Sequence, residues 1–284
     1  MNHCLLCTGQ YFVPVKSRGL GTQIAACRTC GFVQVIPHVS RGAVARTYQD
    51  DWNHFAPYVS QTSVHRAYFQ RLLRFLETIF PLTQKKMLDV GCATGLLVDE
   101  ANRRGMRAVG IDISKSAVSH GKKQHVPLFN ETSISWMKKK KYRNEYNVIT
   151  ALSVIEHEAD PVRMMQALYT MAAPGGIVVI STPNFNTVYR ALMGKHWIGY
   201  AHPEHLWFFT PKTITTLFRD AGFVDIVLRR DFQRSYSVSY AFRRLGDYLP
   251  ALRRVCSCIA AWTGTLQIPM LFNPWGDMLV TARK

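Results

Sequence analysis

Four cysteines near the start of the chain stand in two Cys-x-x-Cys pairs, Cys4/Cys7 and Cys27/Cys30, with Gly31 directly after the second. Each pair can supply two thiolates from one knuckle, and together they fill the tetrahedral shell of a structural zinc. Two disulfides are the competing pairing. The start, MNHCLLCTGQ, lacks a basic stretch followed by an apolar run, so a reducing cytoplasm is expected and zinc is favoured. Cys92, Cys256 and Cys258 lack partner spacing; Cys92 reads as a small residue in a glycine-rich loop and the other two as structural.

A second constellation is Met87-Leu-Asp-Val-Gly-Cys-Ala-Thr-Gly95, an apolar strand that ends in an acid and a glycine-rich turn. Glycines let the backbone pass close under a ligand at the carboxyl end of a first strand, where doubly wound sheets bind cofactors. The spacing is Gly-x-x-x-Gly, not the Gly-x-Gly-x-x-Gly of dinucleotide folds, and Asp89 stands two positions ahead of Gly91. A carboxylate there suits a ligand with an ammonium and a sulfonium better than one with a pyrophosphate. A second strand, Ala108-Val-Gly-Ile-Asp112, ends in an acid that can accept hydrogen bonds from both hydroxyls of a ribose.

Histidines supply the third. His157 follows an apolar strand in Ile155-Glu156-His157, and His202 and His205 lie in Tyr200-Ala-His-Pro-Glu-His-Leu-Trp-Phe-Phe. An imidazole can take a proton near neutral pH, whereas a lysine would need a large pKa shift. Packing at the base of a loop is the alternative role for each.

These residues need a frame. From Met87 onward short apolar runs alternate with helical segments, the βαβ pattern of a parallel sheet. The pattern predicts strands near 87–90, 107–111, 126–129, 147–152 and 177–181, with helices near 96–104, 115–124 and 161–172. A helix over 211–221 and strands over 223–228 and 278–282 follow. Ahead of the sheet, Phe69, Leu72, Leu73, Leu76 and Ile79 recur at helical spacing and Pro81 closes the run,. Tyr48, Trp52, Phe55 and Tyr58 make an aromatic stretch before it. The domains expected are a zinc knuckle at 1–46, a helical segment at 47–86 and a cofactor-binding domain at 87–284, with an insert at 231–276.

The insert begins with Arg234, Arg243, Arg244, Arg253 and Arg254 among aromatics and then carries no charge from Val255 through Pro274. Gly264, Gln267 and Pro269 interrupt that run, so a membrane span is not expected. A basic amphipathic surface suits a phospholipid interface or a lipid-phosphate substrate, and a lid over the site is the alternative. Across 284 residues, 35 Lys and Arg against 18 Asp and Glu give a formal charge of +17, a field suited to anionic partners. Lys138 to Lys141 with Arg143 read as a solvated loop face rather than a base-stacking surface; nucleic acid is therefore the less favoured partner.

LDVGCATG, VGIDIS, VITALSVIEH, the Pro174-Gly175-Gly176 turn and VVISTPN together resemble the successive motifs of class I S-adenosylmethionine-dependent methyltransferases. The order CxxC, CxxCG, LDVGC, EH, PGG, STPN and HPEHLWFFTPKTI resembles more narrowly a bacterial group with an N-terminal zinc ribbon, whose members often accompany polysaccharide and cell-envelope genes. The likeness runs to the closing GDMLVTARK. It implies a Rossmann-like, doubly wound mixed α/β sheet with an N-terminal zinc knuckle and a helical insert before the last strand.

It also implies S-adenosylmethionine as cofactor beside structural zinc. Asp89, Gly91, Cys92 and Gly95 would line the methionine end, and Asp112 with Ile113 the ribose and adenine. Thr132 and Ser133 would flank the adenine, although Glu131 stands where members often have Gly. Leu152 and Ser153 would approach the sulfur. Ubiquinone-pathway O-methyltransferases have a comparable His followed by an aromatic, which makes His205 the first choice for a base, ahead of His157, with His202 beside them. Ser153 occupies the place of an extra Glu through which some of those enzymes bind a divalent ion, so no catalytic metal is expected. The acceptor expected is a small molecule or glycan intermediate, methylated at oxygen or carbon, in the cytoplasm or at the inner membrane face. RNA methylation and cofactor binding without turnover are the alternatives. The sequence does not specify an oligomeric state.

Overall fold

A computed structural model describes residues 3–19, 22–40, 42–44, 58–200, 203–230, 232, 238–248, 250–264 and 276–284. Three strands open the chain, β1 (Phe12–Gly19), β2 (Thr22–Cys27) and β3 (Val33–Ile36). Helix α1 (Thr62–Ile79) leads into β4 (Lys86–Val90), α2 (Leu96–Arg103), β5 (Arg107–Asp112), α3 (Lys115–Lys123) and β6 (Leu128–Asn130). Then come α4 (Ser133–Met137), β7 (Tyr146–Leu152), α5 (Pro161–Met171), β8 (Ala172–Pro183), α6 (Val188–Met193) and β9 (Trp207–Phe208). The chain closes with α7 (Pro211–Asp220), β10 (Val224–Arg229), α8 (Val238–Tyr248), α9 (Arg253–Gly264) and β11 (Asp277–Arg283).

Seven strands form one sheet in the order β10-β11-β8-β7-β4-β5-β6. The five strands from β8 to β6 are parallel neighbours, and β11 is antiparallel to both β8 and β10. Strand order therefore reverses between β4 and β7, the point at which a doubly wound sheet opens a crevice beyond its carboxyl ends.

Both faces are covered, and the period of two along each strand decides which residue faces which layer. Leu88, Ile149, Val178 and Val280 face a core shared with α5 and α7. Met87, Val148, Val179 and Leu279 face one shared with α1 and α2. Arg66 of α1 bonds Asp99 and Glu100 of α2, which pins one helix layer together. Ile79, expected in the apolar stripe of α1, is instead exposed. Of the aromatic stretch ahead of α1, Tyr58 stacks on His65 at 4.3 Å; Tyr48, Trp52 and Phe55 lie outside the described residues.

The expected mixed sheet and helical insert are present, the latter as α8 and α9 between β10 and β11. Among the described residues no helix is long and apolar enough to cross a membrane. The N-terminal segment forms a second sheet, β1-β2-β3-β9, whose last strand comes from far along the chain through the pairs Val33↔Phe208 and Gln34↔Trp207.

One contact fixes the glycine-rich turn against α3. A Cβ on Gly121 would lie 2.5 Å from the Thr94 carbonyl and 2.3 Å from a Leu128 methyl carbon. Gly121→Ala is expected to lower unfolding free energy by about 1–3 kcal/mol through overpacking, read as a shift in urea midpoint; an unchanged midpoint would mean that α3 packs less closely on the turn.

Candidate active site

Asp89 and Thr150 are register partners on β4 and β7, so they face each other at the strand-order reversal. The Thr150 hydroxyl donates to Asp89 Oδ1 at 2.6 Å. Burial, and behind it the nearby Asp112 carboxylate, pushes the Asp89 carboxyl up to about 7, with the Thr150 bond opposing,.

Beyond Asp89 the backbone turns sharply. Gly91 has φ +71°, and a Cβ on it would come within 2.3 Å of a Val154 methyl, so the loop after β7 closes directly over the glycine. Gly95 caps α2 in the left-handed region. Cys92 is buried between them, and burial raises its thiol pKa well above the ordinary value. Two non-glycine residues in the left-handed region, Ala93 (φ +48°) and Ser153 (φ +56°), flank this crossing, and such strain is held only where surrounding contacts over-determine it. The Ser153 N–H donates to the Ser181 carbonyl at 2.9 Å, and Leu152 is the last residue of β7.

Asp112 ends β5. Its Oδ2 accepts the Ala93 N–H and its Oδ1 the Ser114 N–H, each at 2.8 Å, so the carboxylate is held against the glycine-rich turn. Asn130 donates to the carbonyls of Asp112 and Ile113. Thr132 caps α4, and the buried Ser133 hydroxyl beside it has no hydrogen-bond partner among the described residues. An orphaned buried hydroxyl is costly unless a ligand satisfies it. Glu131, where a glycine is usual in the resembled group, turns toward Lys139 and Ser135; the Lys139 and Ser135 bonds hold its carboxyl below the usual range. Lys139 and Lys141 of the basic run lie over Trp136 and Tyr142, at 4.4 and 4.8 Å from the ring centroids.

The structure brings His157 and His205 together, ring centroids 4.8 Å apart and edge to face. His202 lies outside the described residues. The His205 Nδ1 faces the Gly199 carbonyl at 3.1 Å, and the His157 Nδ1 faces the Glu204 carbonyl at 3.2 Å. A carbonyl only accepts, so both Nδ1 atoms carry hydrogen and both Nε2 atoms carry the lone pair when the rings are neutral. The His157 Nε2 is 3.9 Å from Glu156 Oε1. Glu156, fully buried, also accepts from the Thr182 hydroxyl at 2.9 Å. A proton gained at the His157 Nε2 would therefore be stabilised by a buried carboxylate.

Glu156 and Thr182 stand within sequence motifs, but nothing in their spacing marks them as partners. Glu156, His157 and His205 offer ligand atoms within 4.8 Å of one another, a set that could hold a cation.

The four paired cysteines form the other such set. Cys4 and Cys30 sulfurs are 3.5 Å apart, as are those of Cys7 and Cys27. Tetrahedral zinc with 2.3 Å bonds places sulfurs about 3.8 Å apart, so four sulfurs at this spacing fit one ion better than two separate disulfides.

Comparison with known proteins agrees with this architecture. Residues 60–228 match the family described as "Methyltransferase domain". The ubiquinone biosynthesis O-methyltransferase of Cupriavidus pinatubonensis is 29% identical over 195 residues, 64% of this chain and 78% of that protein. That of Marinobacter nauticus is 30% identical over 162 residues, 53% of this chain and 68% of that protein. Among solved structures, a SAM-dependent methyltransferase from Archaeoglobus fulgidus shares the fold with a TM-score of 0.56 at 17% identity, covering 82% of this chain and all of its own. The chain belongs to the methyltransferase-domain family and is a class I S-adenosylmethionine-dependent methyltransferase.

Proposed function

We propose that the protein methylates a hydroxyl oxygen of a small-molecule acceptor, free or carried on a glycan or lipid. The observation that carries this reading is the contact of His205 with His157, which lies in the loop whose Val154 covers Gly91. The relatives' names, which specify O-methylation, support it. On this reading Asp89, Gly91, Cys92 and Gly95 hold the methionine end of the cofactor, Asp112 and Ile113 the ribose, Thr132 and Ser133 the adenine, and Leu152 and Ser153 the vicinity of the sulfur. When bound there, the cofactor would supply an activated methyl group.

What the chain must add is alignment and removal of one proton. His205 is the base through Nε2, its Nδ1–H anchored on Gly199, while His157, backed by Glu156, receives or steadies the positive charge. Cys4, Cys7, Cys27 and Cys30 hold structural zinc. The chain divides into a zinc knuckle (1–46), a helical segment (47–86) and the methyltransferase domain (87–284) with the insert 231–276.

The insert supports an anionic membrane surface as the place of acceptor delivery. Leu245, Leu252, Val255 and Trp262 are exposed, Trp262 at 71%, and Arg243, Arg253 and Arg254 flank them on α8 and α9. Exposed apolar groups ringed by arginine suit lipid headgroups.

A paired measurement tests the assignments, with S-adenosylhomocysteine calorimetry and methyl transfer on the same variants. Asp112→Ala is expected to weaken binding at least about tenfold, as a charge-assisted pair of hydrogen bonds contributes about 1.5–3 kcal/mol. His205→Ala should keep affinity and lower turnover about 10²–10⁴-fold. Normal turnover in His205→Ala with an inactive His157→Ala would move the base to His157.

Asp89 gives a pH signature. Its carboxyl is raised to about 7 in the free protein, and a cofactor ammonium beside it would lower that value. Binding should then expel close to one proton at about pH 6 and almost none at about pH 8, and affinity should fall as pH drops through 7. Calorimetry in buffers of different ionisation enthalpy reads this, and Asp89→Asn should abolish it. Equal enthalpies at pH 6 would place the ammonium elsewhere.

Cosedimentation with phosphatidylglycerol vesicles should exceed that with phosphatidylcholine vesicles, fall with added salt and drop in Trp262→Ser. Equal recovery on both lipids would remove the membrane assignment.

A further inference from the structure

The cysteine knuckle is joined to the acceptor side of the site by a continuous set of contacts. Val35 of β3 donates its N–H to the Leu206 carbonyl at 2.9 Å, and the Leu206 N–H donates to the Glu156 carbonyl at 2.8 Å. One residue, immediately after His205, thus bridges the N-terminal sheet and the loop that carries His157 through both of its backbone polar groups. The next residue repeats the bridge with its side chain. Phe32, two residues after Cys30, stacks on Trp207 with centroids 5.9 Å apart and planes 8° apart, and His38 meets the same indole edge to face at 5.6 Å. The Trp207 indole N–H donates to the Glu158 carbonyl, one residue beyond His157.

A buried glutamine ties this seam to the first cysteine pair. Gln34, fully buried and in register with Trp207, donates through Nε2 to the His3 carbonyl at 3.0 Å and accepts at Oε1 from the Leu5 N–H at 3.4 Å. Cys4 lies between those two residues and is itself buried in the core that contains Phe32, Leu206, Trp207 and Phe209. Few of these contacts could form if residues 3–9 and 27–32 were not drawn together. The hairpin that joins the two cysteine pairs is short, and its outer strand β1 has exposed apolar residues at Val13 and Val15, so apolar burial alone holds it weakly. The glycine-rich turn, by contrast, contacts β5, α3 and the loop after β7 and needs nothing from this sheet.

We propose that the zinc knuckle is a positioning element for the acceptor side alone: with its four thiolates gathered on one ion, Phe32 and Gln34 clamp β9 and keep His205 against His157. Phe32 and Gln34 are then positioning residues that act through Trp207 and Leu206, and loss of zinc loosens residues 205–209 while the cofactor side keeps its shape. The inference rests on the reading of His205 as an acceptor-side group, but the clamp is measurable without any acceptor.

The test uses the full chain with zinc bound, the same chain after zinc removal by a chelator, and Phe32→Ala, which leaves every cysteine in place. Three quantities are read: zinc per chain, affinity for S-adenosylhomocysteine, and amide hydrogen exchange over residues 205–209 and 88–95. Phe32→Ala should keep one zinc and bind the cofactor product within about twofold, yet exchange the Leu206 and Trp207 amides at least about tenfold faster. Chelation should have the same local effect, and Phe32→Tyr should restore slow exchange. If Phe32→Ala does not fold, Phe32→Leu removes the stack with less loss of volume and carries the same readout. Unchanged exchange at 205–209 on zinc removal overturns the clamp, and so does a parallel loss of cofactor affinity, because the knuckle would then support the whole domain. Normal turnover in His205→Ala would instead remove the catalytic reading and leave the exchange result standing.

Discussion

Parallel pairing of β4 with β7 decides where this protein can do chemistry. Because strand order reverses there, the loops after β4 and β7 leave the sheet in opposite directions and a crevice opens between them. Asp89 and Thr150 are paired across it, Gly91 lets the two loops touch, and Asp112 on the neighbouring strand is drawn to the turn by the Ala93 N–H. Move that pairing by one residue and every side chain changes face. Such a slip would part the buried Asp89 carboxyl from the Thr150 hydroxyl that bonds it, which is what forbids it.

The second determinant works at longer range. Residues 205–209 pass between the N-terminal sheet and the loop after β7, held by the Leu206 N–H on one side and the Leu206 carbonyl on the other. The two peptides that flank Leu206 are each tied to a different element, so neither can turn without losing a backbone hydrogen bond. The imidazoles inherit this order: each Nδ1–H is fixed on a main-chain carbonyl, so the proton-accepting nitrogen is set by the fold and not by side-chain choice.

The sequence shows the first determinant far better than the second. Strands such as β7 are apolar on both faces, and short runs between helical segments reveal them within a residue or two; β8 begins at Ala172, five residues before the expected 177, because its first residues carry Pro174, Gly175 and Gly176, and only Leu128 of the three residues of β6 is buried. The glycine spacing and the two terminal acids can be read for the same reason, as local features of a strand and its turn. The sheet β1-β2-β3-β9 has no such signature. Strand β9 is two residues long, Pro14 interrupts β1, and its pairing with β3 joins positions far apart in the chain. The Glu156–Thr182 bond and the His157–His205 contact are likewise products of that packing. Ser133 is different: its place after β6 follows from the motif, but that its hydroxyl is buried without a partner among the described residues depends on how α4 docks.

Charge separates into two scales. The acids at the carboxyl edge of the sheet, Asp89, Asp112 and Glu156, are all buried in a chain whose net charge is +17. Burial raises the Asp89 carboxyl, and the neighbouring Asp112 adds to that push, whereas surface lysines and arginines are screened beyond about 8 Å at physiological salt. The cationic exterior therefore does little to the chemistry within the crevice. On the proposed reading its effect would be on encounter with anionic surfaces or substrates, while the local carboxylates favour the positively charged end of whatever the crevice binds. A protein with this division can raise its affinity for a charged surface through Arg243, Arg253 or Arg254 without disturbing the balance that Asp89, Thr150 and Asp112 set inside.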